Sequence, residues 1–155
     1  MDLYQAMRTT FSAREYTDED IPESVLTTIF ENARFAPSGG NRQAGRIIVV
    51  RDKALQGQIA DLSIATAQQY TAQSMAGETP FNPITPTALS AKEISNTEAM
   101  PQLTQHLRTA SVLLVVCLDL SSIAALDKDL SRISLASGGS IYPLVWNILL
   151  AARAE

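Results

Sequence analysis

The predicted fold depends on one stretch of sequence, ENARFAPSGGNRQAGRIIVV at residues 31–50. Pro22 favours a helix start, and the apolar residues after it recur at helical spacing, which predicts an amphipathic helix over 22–35. Pro37 and the two glycines that follow it end that helix. The β-branched run at 47–50 does not alternate with polar residues, which is typical of a strand covered on both faces.

The same patterns predict further elements on both sides of this stretch. A short helix is expected over residues 2–9 and a second buried strand over 112–118. A longer helix is expected over 53–72, with Asp52 as its N-cap. Helical spacing returns from about residue 133 to the end of the chain. The inward face of the longer helix is predicted to carry Leu55, Ile59 and Leu62.

Residues 74–101 lose this periodicity. They hold four of the chain's seven prolines together with many Ser, Thr and Asn residues. A loop of this length inside a compact domain is usually a lid, a partner-binding arm or a disordered segment. Chain length and the lack of internal repeats therefore predict a single domain over 1–155 with a long loop or lid at 74–101.

Two features of the predicted elements indicate an incomplete sheet. Two strands of the central type do not make a stable sheet that is buried on both sides, since three or more are normally required. The final helix reaches Glu155 without a glycine, an asparagine or a polar tail to end it. We therefore expect that the chain is cut within or just after its last helix, or that a partner subunit supplies the missing strands.

Composition excludes several classes of protein. The 155 residues are 46% hydrophobic and 18% charged, which is enough apolar content for a core. The net charge of −4 disfavours nucleic acid as a partner, and no apolar run approaches the roughly 18 residues of a membrane span. One cysteine and the lack of a secretory signal favour a reducing, cytoplasmic location. A single histidine and a single cysteine exclude a Cys/His zinc site within one chain, so no metal site is predicted.

Basic residues cluster between positions 33 and 53, where five of them accompany one acid, Asp52. A basic island in an acidic protein suits a small anionic ligand better than a polyanion. The alternative is an ordinary solvated surface with ion pairs. The island consists of Arg34, Arg42, Arg46, Arg51 and Lys53.

The chain offers few groups for acid–base or nucleophilic catalysis. His106 has no serine or cysteine nearby at a recognisable spacing, and Cys117 lies inside an apolar strand, where thiols are normally inert. We therefore assign no catalytic side chain, and a chemically demanding reaction would be carried out by a cofactor. The loop at 37–43 has backbone N–H groups and the amides of Asn41 and Gln43, which can hydrogen-bond a planar heterocycle. Ordinary turn formation is the alternative, and spacing alone does not decide between the two.

Three segments, taken in order, resemble the flavin-dependent nitroreductase family. The first is SAREY at 12–16, similar to the family's S-x-R-x-F/Y pattern. The second is APSGGNRQ at 36–43, similar to A-P-S-x-x-N-x-Q-P-W. The third is GSIYPLVWNILLAAR at 139–153, which resembles the family's Q-N-x-x-L-A-A helix and matches its asparagine at Asn147. The order of the three segments makes the resemblance more specific than any one of them.

The resemblance implies an α+β fold with a mixed, largely antiparallel sheet flanked by helices, of which the C-terminal part is missing in this chain. It also implies a homodimer with FMN at the subunit interface. The implied activity is that of a flavoprotein oxidoreductase, which passes electrons from NAD(P)H through FMN to a nitroaromatic, a quinone or a similar small acceptor by a ping-pong route. Neither nucleic acid nor a membrane is an expected partner.

The resemblance further implies a set of cofactor-binding residues, carried over by position. Ser12 and Arg14 would hold the phosphate and ribityl end of FMN, since a bidentate arginine suits that dianion. Arg8 would take the place of a basic pair that usually precedes the serine, although a helix end explains Arg8 equally well. The isoalloxazine ring would be lined by Pro37, Ser38, Gly39, Asn41 and Gln43.

The sequence departs from the family pattern at two places. Ala44 and Gly45 stand where Pro-Trp is usual, which reshapes one wall of the implied pocket. The family's glycine-rich turn, further strands and C-terminal basic residue do not follow Glu155. The alternative interpretation is therefore a non-catalytic relic of the same fold that dimerises or binds a ligand.

Overall fold

The computed structural model describes residues 1–17, 19–131 and 135–155. In chain order, its helices and strands are α1 (Leu3–Thr9), α2 (Glu23–Ala33), β1 (Gly45–Val50), α3 (Lys53–Met75), α4 (Ala91–Asn96), α5 (Gln105–Thr109), β2 (Leu113–Leu118) and α6 (Ile141–Ala154). Short 3-10 turns cover Gly39–Asn41, Pro101–Leu103, Leu120–Ser122 and Ala136–Ser140.

The described residues group into two compact units. The first unit comprises Met1–Ser12, Asp20–Val49 and Leu114–Glu155. It contains α1, α2, α6 and nearly all of the two strands. The second unit comprises Ala13–Glu19 and Val50–Leu113, and its helices are α3, α4 and α5.

Helix α1 begins where the sequence provides a cap. The Asp2 side chain accepts a hydrogen bond from the Gln5 N–H at 2.9 Å, which satisfies one of the free N–H groups of the first turn. At the other end, the Arg153 Nε–H donates to Thr9 Oγ1 at 3.0 Å, so α1 contacts α6. The short helix predicted over 2–9 is confirmed.

Helix α2 confirms the helix predicted over 22–35, but it is shorter at both ends. Pro22 is the N-cap, with an extended backbone (φ −60°, ψ 147°), and is not the first helical residue. The buried residues Leu26, Ile29 and Ala33 follow the predicted helical spacing. The amphipathic pattern therefore identified the correct inward face of this helix.

The core of the first unit lies between α2, α6 and the sheet. Ile29 and Ala33 of α2 form a buried cluster with Ile148 of α6. Burial of a large aliphatic side chain contributes about 1.5–3 kcal/mol to stability. Because Ile47 of β1 and Leu114 of β2 pack against this cluster, the two helices cover one face of the sheet. The partly buried residues around the cluster are Val25, Phe30, Ile47, Leu114, Leu144 and Ala151.

The two strands run antiparallel. The Asp119 N–H, just after β2, donates to the Ala44 carbonyl, just before β1, at 2.9 Å, so the end of one strand pairs with the start of the other. Helices packed on an antiparallel sheet confirm the α+β prediction.

The prediction that β1 is covered on both faces is wrong. Ile47 packs on the core, but its neighbour Ile48 is 53% exposed. Successive side chains of a strand point to opposite faces of the sheet, but Val49, on the face of Ile47, is 39% exposed, whereas Val50, on the face of Ile48, is buried, so exposure along β1 does not follow one face. A β-branched run without alternation is thus also compatible with a strand that is only partly covered.

Helix α3 begins at its predicted N-cap, since Asp52 Oδ1 accepts a hydrogen bond from the Leu55 N–H at 2.7 Å. The predicted inward face is wrong. Leu55 and Leu62 are 44% and 83% exposed, and Ile59 is only half-buried. The inward face is instead formed by small and amide side chains, namely Gln56, Ala60, Ala67, Thr71, Ala72 and Gln73.

The buried glutamines explain why the spacing of apolar residues did not identify the inward face of α3. Gln56 Nε2 donates to the Val50 carbonyl at 2.9 Å, so part of its polarity is matched inside the second unit. Small residues such as Ala60 and Ala67 allow neighbouring elements to approach closely. A face of this kind is recognised by its packing and hydrogen bonds, which the apolar periodicity does not report.

The segment at 74–101 contains a helix that the sequence interpretation did not include. Helix α4 starts with a capping box, in which Ser90 Oγ accepts from the Glu93 N–H and Glu93 Oε2 accepts from the Ser90 N–H at 2.8 Å. The S-x-x-E pattern at 90–93 was the available signal, but six residues are too few to show helical periodicity. The role of the segment as a lid stays a prediction.

Glu78 holds the first part of this segment together. Its carboxylate accepts hydrogen bonds from Thr87 Oγ1 at 2.6 Å and from the Ala88 N–H at 2.8 Å. The buried Gln73 donates to the same carboxylate at 3.1 Å and accepts from the Phe81 N–H at 3.1 Å. These bonds, the one from Thr87 first among them, lower the pKa of Glu78 below its usual 4.5.

Glu78→Gln should weaken the second unit at neutral pH, because the amide replaces a carboxylate oxygen that accepts hydrogen bonds. A carboxylate whose pKa is lowered in the folded state stabilises that state above its unfolded pKa, near 4.5, and this stabilisation is lost as the pH falls through the lowered value. Urea unfolding at several pH values should therefore show a gap between wild type and variant that closes in acid.

Glu98→Gln provides the matched control, since Glu98 is exposed and makes no hydrogen bond with a described residue. It should unfold like the wild type at every pH. A gap between wild type and Glu78→Gln that is as large in acid as at neutral pH would contradict the role of the Glu78 carboxylate.

Candidate ligand-binding site

Residues 37–43 form a tight loop between α2 and β1. Ser38 organises the loop with two of its atoms. Its carbonyl accepts a hydrogen bond from the Asn41 N–H at 2.9 Å, and its hydroxyl oxygen accepts one from the Gln43 N–H at 3.1 Å. The Arg46 guanidinium donates to the Gln43 carbonyl at 2.9 Å. The loop shape is therefore held by the backbone and the hydroxyl of Ser38 and by Arg46 near the start of β1.

Three residues of this loop adopt left-handed backbone conformations. Gly40 (φ 60°) and Asn41 (φ 52°) are residue types that tolerate this region. Glutamine tolerates this region less well, so the conformation of Gln43 (φ 49°) is strained. Backbone strain of this kind costs about 1–3 kcal/mol and persists only where the surrounding structure holds the residue in place. Such strain is concentrated at functional sites, so the space beside the loop is a candidate binding site.

A cavity of about 430 Å³ lies beside the loop, within the first unit. Its size falls in the range of about 300–1,000 Å³ that is typical of small-molecule sites. One part of its wall is apolar and comes from α2, β1 and α6, with Phe30, Ile47 and Leu144. The other part is polar. The remaining lining residues are Glu31, Arg34, Ala36, Ser38, Gln43, Ala44, Gly45, Arg46 and Ser140.

Two arginines of the basic island face this cavity. Arg34 pairs with Glu31 at 3.3 Å, but both side chains are mostly exposed, and its guanidinium lies 5.2 Å from the centre of the Phe35 ring. An exposed ion pair of this kind contributes little to stability, so Arg34 can exchange partners. Arg46 Nη1 donates to two backbone carbonyls, which fixes its side chain near the start of β1.

Asp119 adds a negative charge close to this end of the sheet. Its carboxylate accepts hydrogen bonds from the hydroxyls of Ser121 at 2.6 Å and Ser122 at 2.8 Å. The bond from Ser121 is the main reason why the pKa of Asp119 is lowered, and the positive charge of Arg46 contributes as well. Asp119 therefore remains ionised at neutral pH and electrostatically attracts Arg46.

The structure brings some of the predicted cofactor-binding residues together. Ser38 and Gln43 line the cavity. Pro37, Gly39 and Asn41 belong to the same loop without lining it, and the Gln43 amide donates to Asn41 Oδ1 at 3.4 Å.

The three predicted phosphate-binding residues do not line this cavity. Arg8 lies on α1, where it lines a separate open depression with Asp2 and Thr9. Ser12 is exposed. Arg14 belongs to the second unit and is exposed, and its guanidinium donates to the Ala13 carbonyl at 3.0 Å.

Several lining residues were not predicted as site residues. Phe30 and Leu144 follow the helical spacing of α2 and α6, so they could be predicted only as core residues. Arg34 and Arg46 carried a signal, since both belong to the basic island. Ser140 had none beyond its place in an SGGS segment. The motif residue Asn147 is half-buried on α6.

Gly45 permits the close approach of α6 to β1. A Cβ atom at this position would lie 2.5 Å from Leu144 Cδ2, closer than side chains tolerate. Both residues line the cavity, so the missing side chain shapes its apolar wall. The expected effect of Ala44-Gly45 on one wall of the pocket therefore has a physical basis in the Gly45–Leu144 contact.

The fold and the cavity define an α+β protein with a candidate small-molecule site between a strained loop and the start of α6. The nitroreductase family model matches residues 7–155, so the chain belongs to the nitroreductase family. The resemblance carried by the three sequence motifs is thereby confirmed.

Two curated proteins match parts of the chain. An iodotyrosine deiodinase of Hydra vulgaris is 28% identical over 61 residues, which are 39% of this chain and 22% of that protein. A protein of Methanothermobacter thermautotrophicus, provisionally named NADH dehydrogenase/NAD(P)H nitroreductase, is 31% identical over 62 residues, which are 40% of this chain and 32% of that protein. The matched stretches thus span at most about a third of either relative.

Solved structures share the fold. An oxidised iodotyrosine deiodinase bound to FMN and 3-iodo-L-tyrosine superposes with a TM-score of 0.64 at 24% identity, over 99% of this chain and 70% of the other. This similarity concerns the fold. Within the described residues, no helix has the length and apolar character needed to cross a bilayer.

Gly45→Ala should destabilise the first unit by about 1–3 kcal/mol, because the added methyl group displaces Leu144 from its packed position. Urea unfolding at equilibrium measures this change. Gly139→Ala is the matched control, since a Cβ at Gly139 meets no atom within 4 Å. A second Leu144→Ala substitution should reduce the cost of Gly45→Ala; equal costs in both backgrounds would contradict the contact.

Proposed function

We propose that the chain is an FMN-dependent oxidoreductase that passes electrons from NAD(P)H to a nitroaromatic, a quinone or a similar small acceptor by a ping-pong route. The observation that carries the proposal is the cavity beside the strained loop, with an apolar wall opposite hydroxyl, amide and guanidinium groups. Membership of the nitroreductase family and the FMN-bound relative of the same fold support it.

The lining residues fit a flavin ring. An isoalloxazine is planar and apolar on its faces, with carbonyl oxygens and ring nitrogens along its edges. Phe30, Ile47 and Leu144 offer apolar contacts, and Ser38 and Gln43 offer polar ones. The Gln43 amide makes only a long bond of 3.4 Å to Asn41, so it can turn towards a ligand edge.

The protein groups bind and orient the cofactor, and they exclude water from one side of it. FMN, when bound, supplies the hydride-accepting and hydride-donating chemistry, for which the described cavity wall has no cysteine or histidine. Arg34 and Arg46 also line the cavity, together with the Glu31 carboxylate that pairs with Arg34, and their guanidiniums would offer N–H donors to acceptor atoms of the cofactor.

The phosphate end of FMN is assigned in this proposal to Arg8, Ser12 and Arg14. Arg8 forms no hydrogen bond or ion pair with a described residue, and among the described residues Arg14 bonds only to the carbonyl of its neighbour Ala13. Both guanidiniums are therefore available for a dianion, to which an arginine can donate two parallel hydrogen bonds.

A homodimer forms part of the proposal. The first unit exposes large apolar side chains, among them Phe35 at 75% and Tyr142 at 71%. Ile48 of β1 is 53% exposed as well. Exposed side chains of this size and apolar character support the proposed subunit interface. Cys117 is a free thiol, which supports the cytoplasm as the proposed location.

Purified protein should bind FMN, and Arg14→Ala should weaken that binding by about 1.5–3 kcal/mol, the loss expected for hydrogen bonds to a charged group. Quenching of FMN fluorescence on titration measures the dissociation constant. Arg108→Ala is the matched control: it removes a guanidinium from the same unit, where Arg108 pairs with Asp61. An unchanged affinity for Arg14→Ala would remove Arg14 from the site.

The activity itself is tested by NAD(P)H oxidation with a quinone or a nitroaromatic as acceptor. Parallel double-reciprocal lines at several acceptor concentrations are expected for a ping-pong route. Protein that dimerises but neither binds FMN nor oxidises NAD(P)H would overturn the proposal in favour of a non-catalytic relic of the fold.

A further inference from the structure

Ser140 stands at the N-cap of α6 but does not cap that helix. In α1, α3 and α4 the N-cap side chain accepts a hydrogen bond from the helix's own first turn, which is the usual role of this position. The Ser140 side chain makes no such bond. Its oxygen accepts instead from the Gly39 N–H, 101 residues earlier in the chain, at 3.0 Å.

This bond ties the start of α6 to the strained loop. Gly39 is the first residue of the 3-10 turn and follows Ser38, which holds the other side of the loop through Asn41 and Gln43. The loop is thereby held by Ser38, which lies within it, and by Ser140 at the start of α6. Loss of either bond would free the neighbouring backbone.

The hydroxyl hydrogen of Ser140 is still available. A serine hydroxyl has one hydrogen to donate and two lone pairs to accept with, and the bond from Gly39 occupies one lone pair. No described residue accepts a hydrogen bond from Ser140. Since Ser140 also lines the cavity of about 430 Å³, its hydrogen can be turned into that space.

We propose that Ser140 is a binding residue with two tasks: it positions the 37–43 loop through the Gly39 N–H, and it donates its own hydrogen to an acceptor atom of the ligand in the cavity. The acceptor would be a carbonyl oxygen or a ring nitrogen at the edge of a planar heterocycle. The second task rests on the proposed flavin-binding function. The first does not require any ligand.

Ser38 uses its hydroxyl in the same way, which supports this assignment. Its oxygen accepts from the Gln43 N–H, and it too lines the cavity. Two hydroxyls, one on the loop and one at the start of α6, thus have their oxygens engaged by backbone N–H groups and their hydrogens left for a ligand. The pair would recognise a flat ligand with acceptors at its edge.

The test compares Ser140→Ala with Ser140→Thr, which keeps the hydroxyl, and with Ser63→Ala as the matched control. Ser63 is a half-buried serine on α3 whose hydroxyl bonds to the Ile59 carbonyl of its own helix. The first measurement, without FMN, is amide hydrogen exchange at Gly39 by NMR. Exchange should be about tenfold faster in Ser140→Ala, the effect of losing one hydrogen bond, and close to wild type in the other two variants.

The second measurement is the FMN dissociation constant by fluorescence quenching. Ser140→Ala should raise it by about 3–10-fold and shift the visible absorption band of the bound flavin, and Ser140→Thr should restore both. An equal affinity and an equal spectrum for wild type and Ser140→Ala would overturn the ligand-donating task. An equal Gly39 exchange rate would overturn the positioning task.

The outcomes separate this inference from the proposed function. If the wild-type protein does not bind FMN, the proposed function fails and the ligand-donating task fails with it. The Gly39 exchange rate then still decides the positioning task. If Ser140→Ala does not fold, the comparison moves to Ser140→Thr and Ser140→Cys: exchange and affinity should follow the hydrogen-bonding strength of the side chain, and no difference between these two would overturn the assignment.

Discussion

The packing of α2 against α6 is the interaction on which the candidate site depends. Ile29 and Ala33 lie buried against Ile148, and this contact places the loop that follows α2 beside the first turn of α6. The cavity has walls from both helices and from β1. A substitution that opened this core would therefore disturb the site without touching any residue that faces a ligand.

The loop between α2 and β1 places polar groups at defined positions beside the cavity. Its left-handed residues, Asn41 and Gln43, are kept in place because Ser38 and Arg46 satisfy the backbone around them. Hydrogen bonds hold the strained backbone in one conformation. Less conformational entropy is therefore lost when a ligand binds, which favours affinity. In the proposed function, the cofactor would supply the redox chemistry, and the chain would position it through these polar groups.

Local sequence patterns predicted which segments form helices and strands better than they predicted which face of each element is buried. The spacing of Leu26, Ile29 and Ala33 identified the inward face of α2, because apolar side chains there meet apolar partners. In α3 the same rule selected Leu55 and Leu62, although the buried face is made of alanines and glutamines. Its hydrogen bonds, such as that from Gln56 to Val50, depend on residues brought near by folding.

The sequence by itself determined the family, the order of the main helices and strands, and the 37–43 loop with its amides, because caps, breakers and motif residues act over a few neighbouring positions. Only the tertiary structure decided that Ser140 and Leu144 share a cavity with that loop, and that Ile48 in the middle of β1 is exposed. The cavity joins residues about a hundred positions apart, and contact at such a distance is set by the packing of whole elements, which no local pattern records.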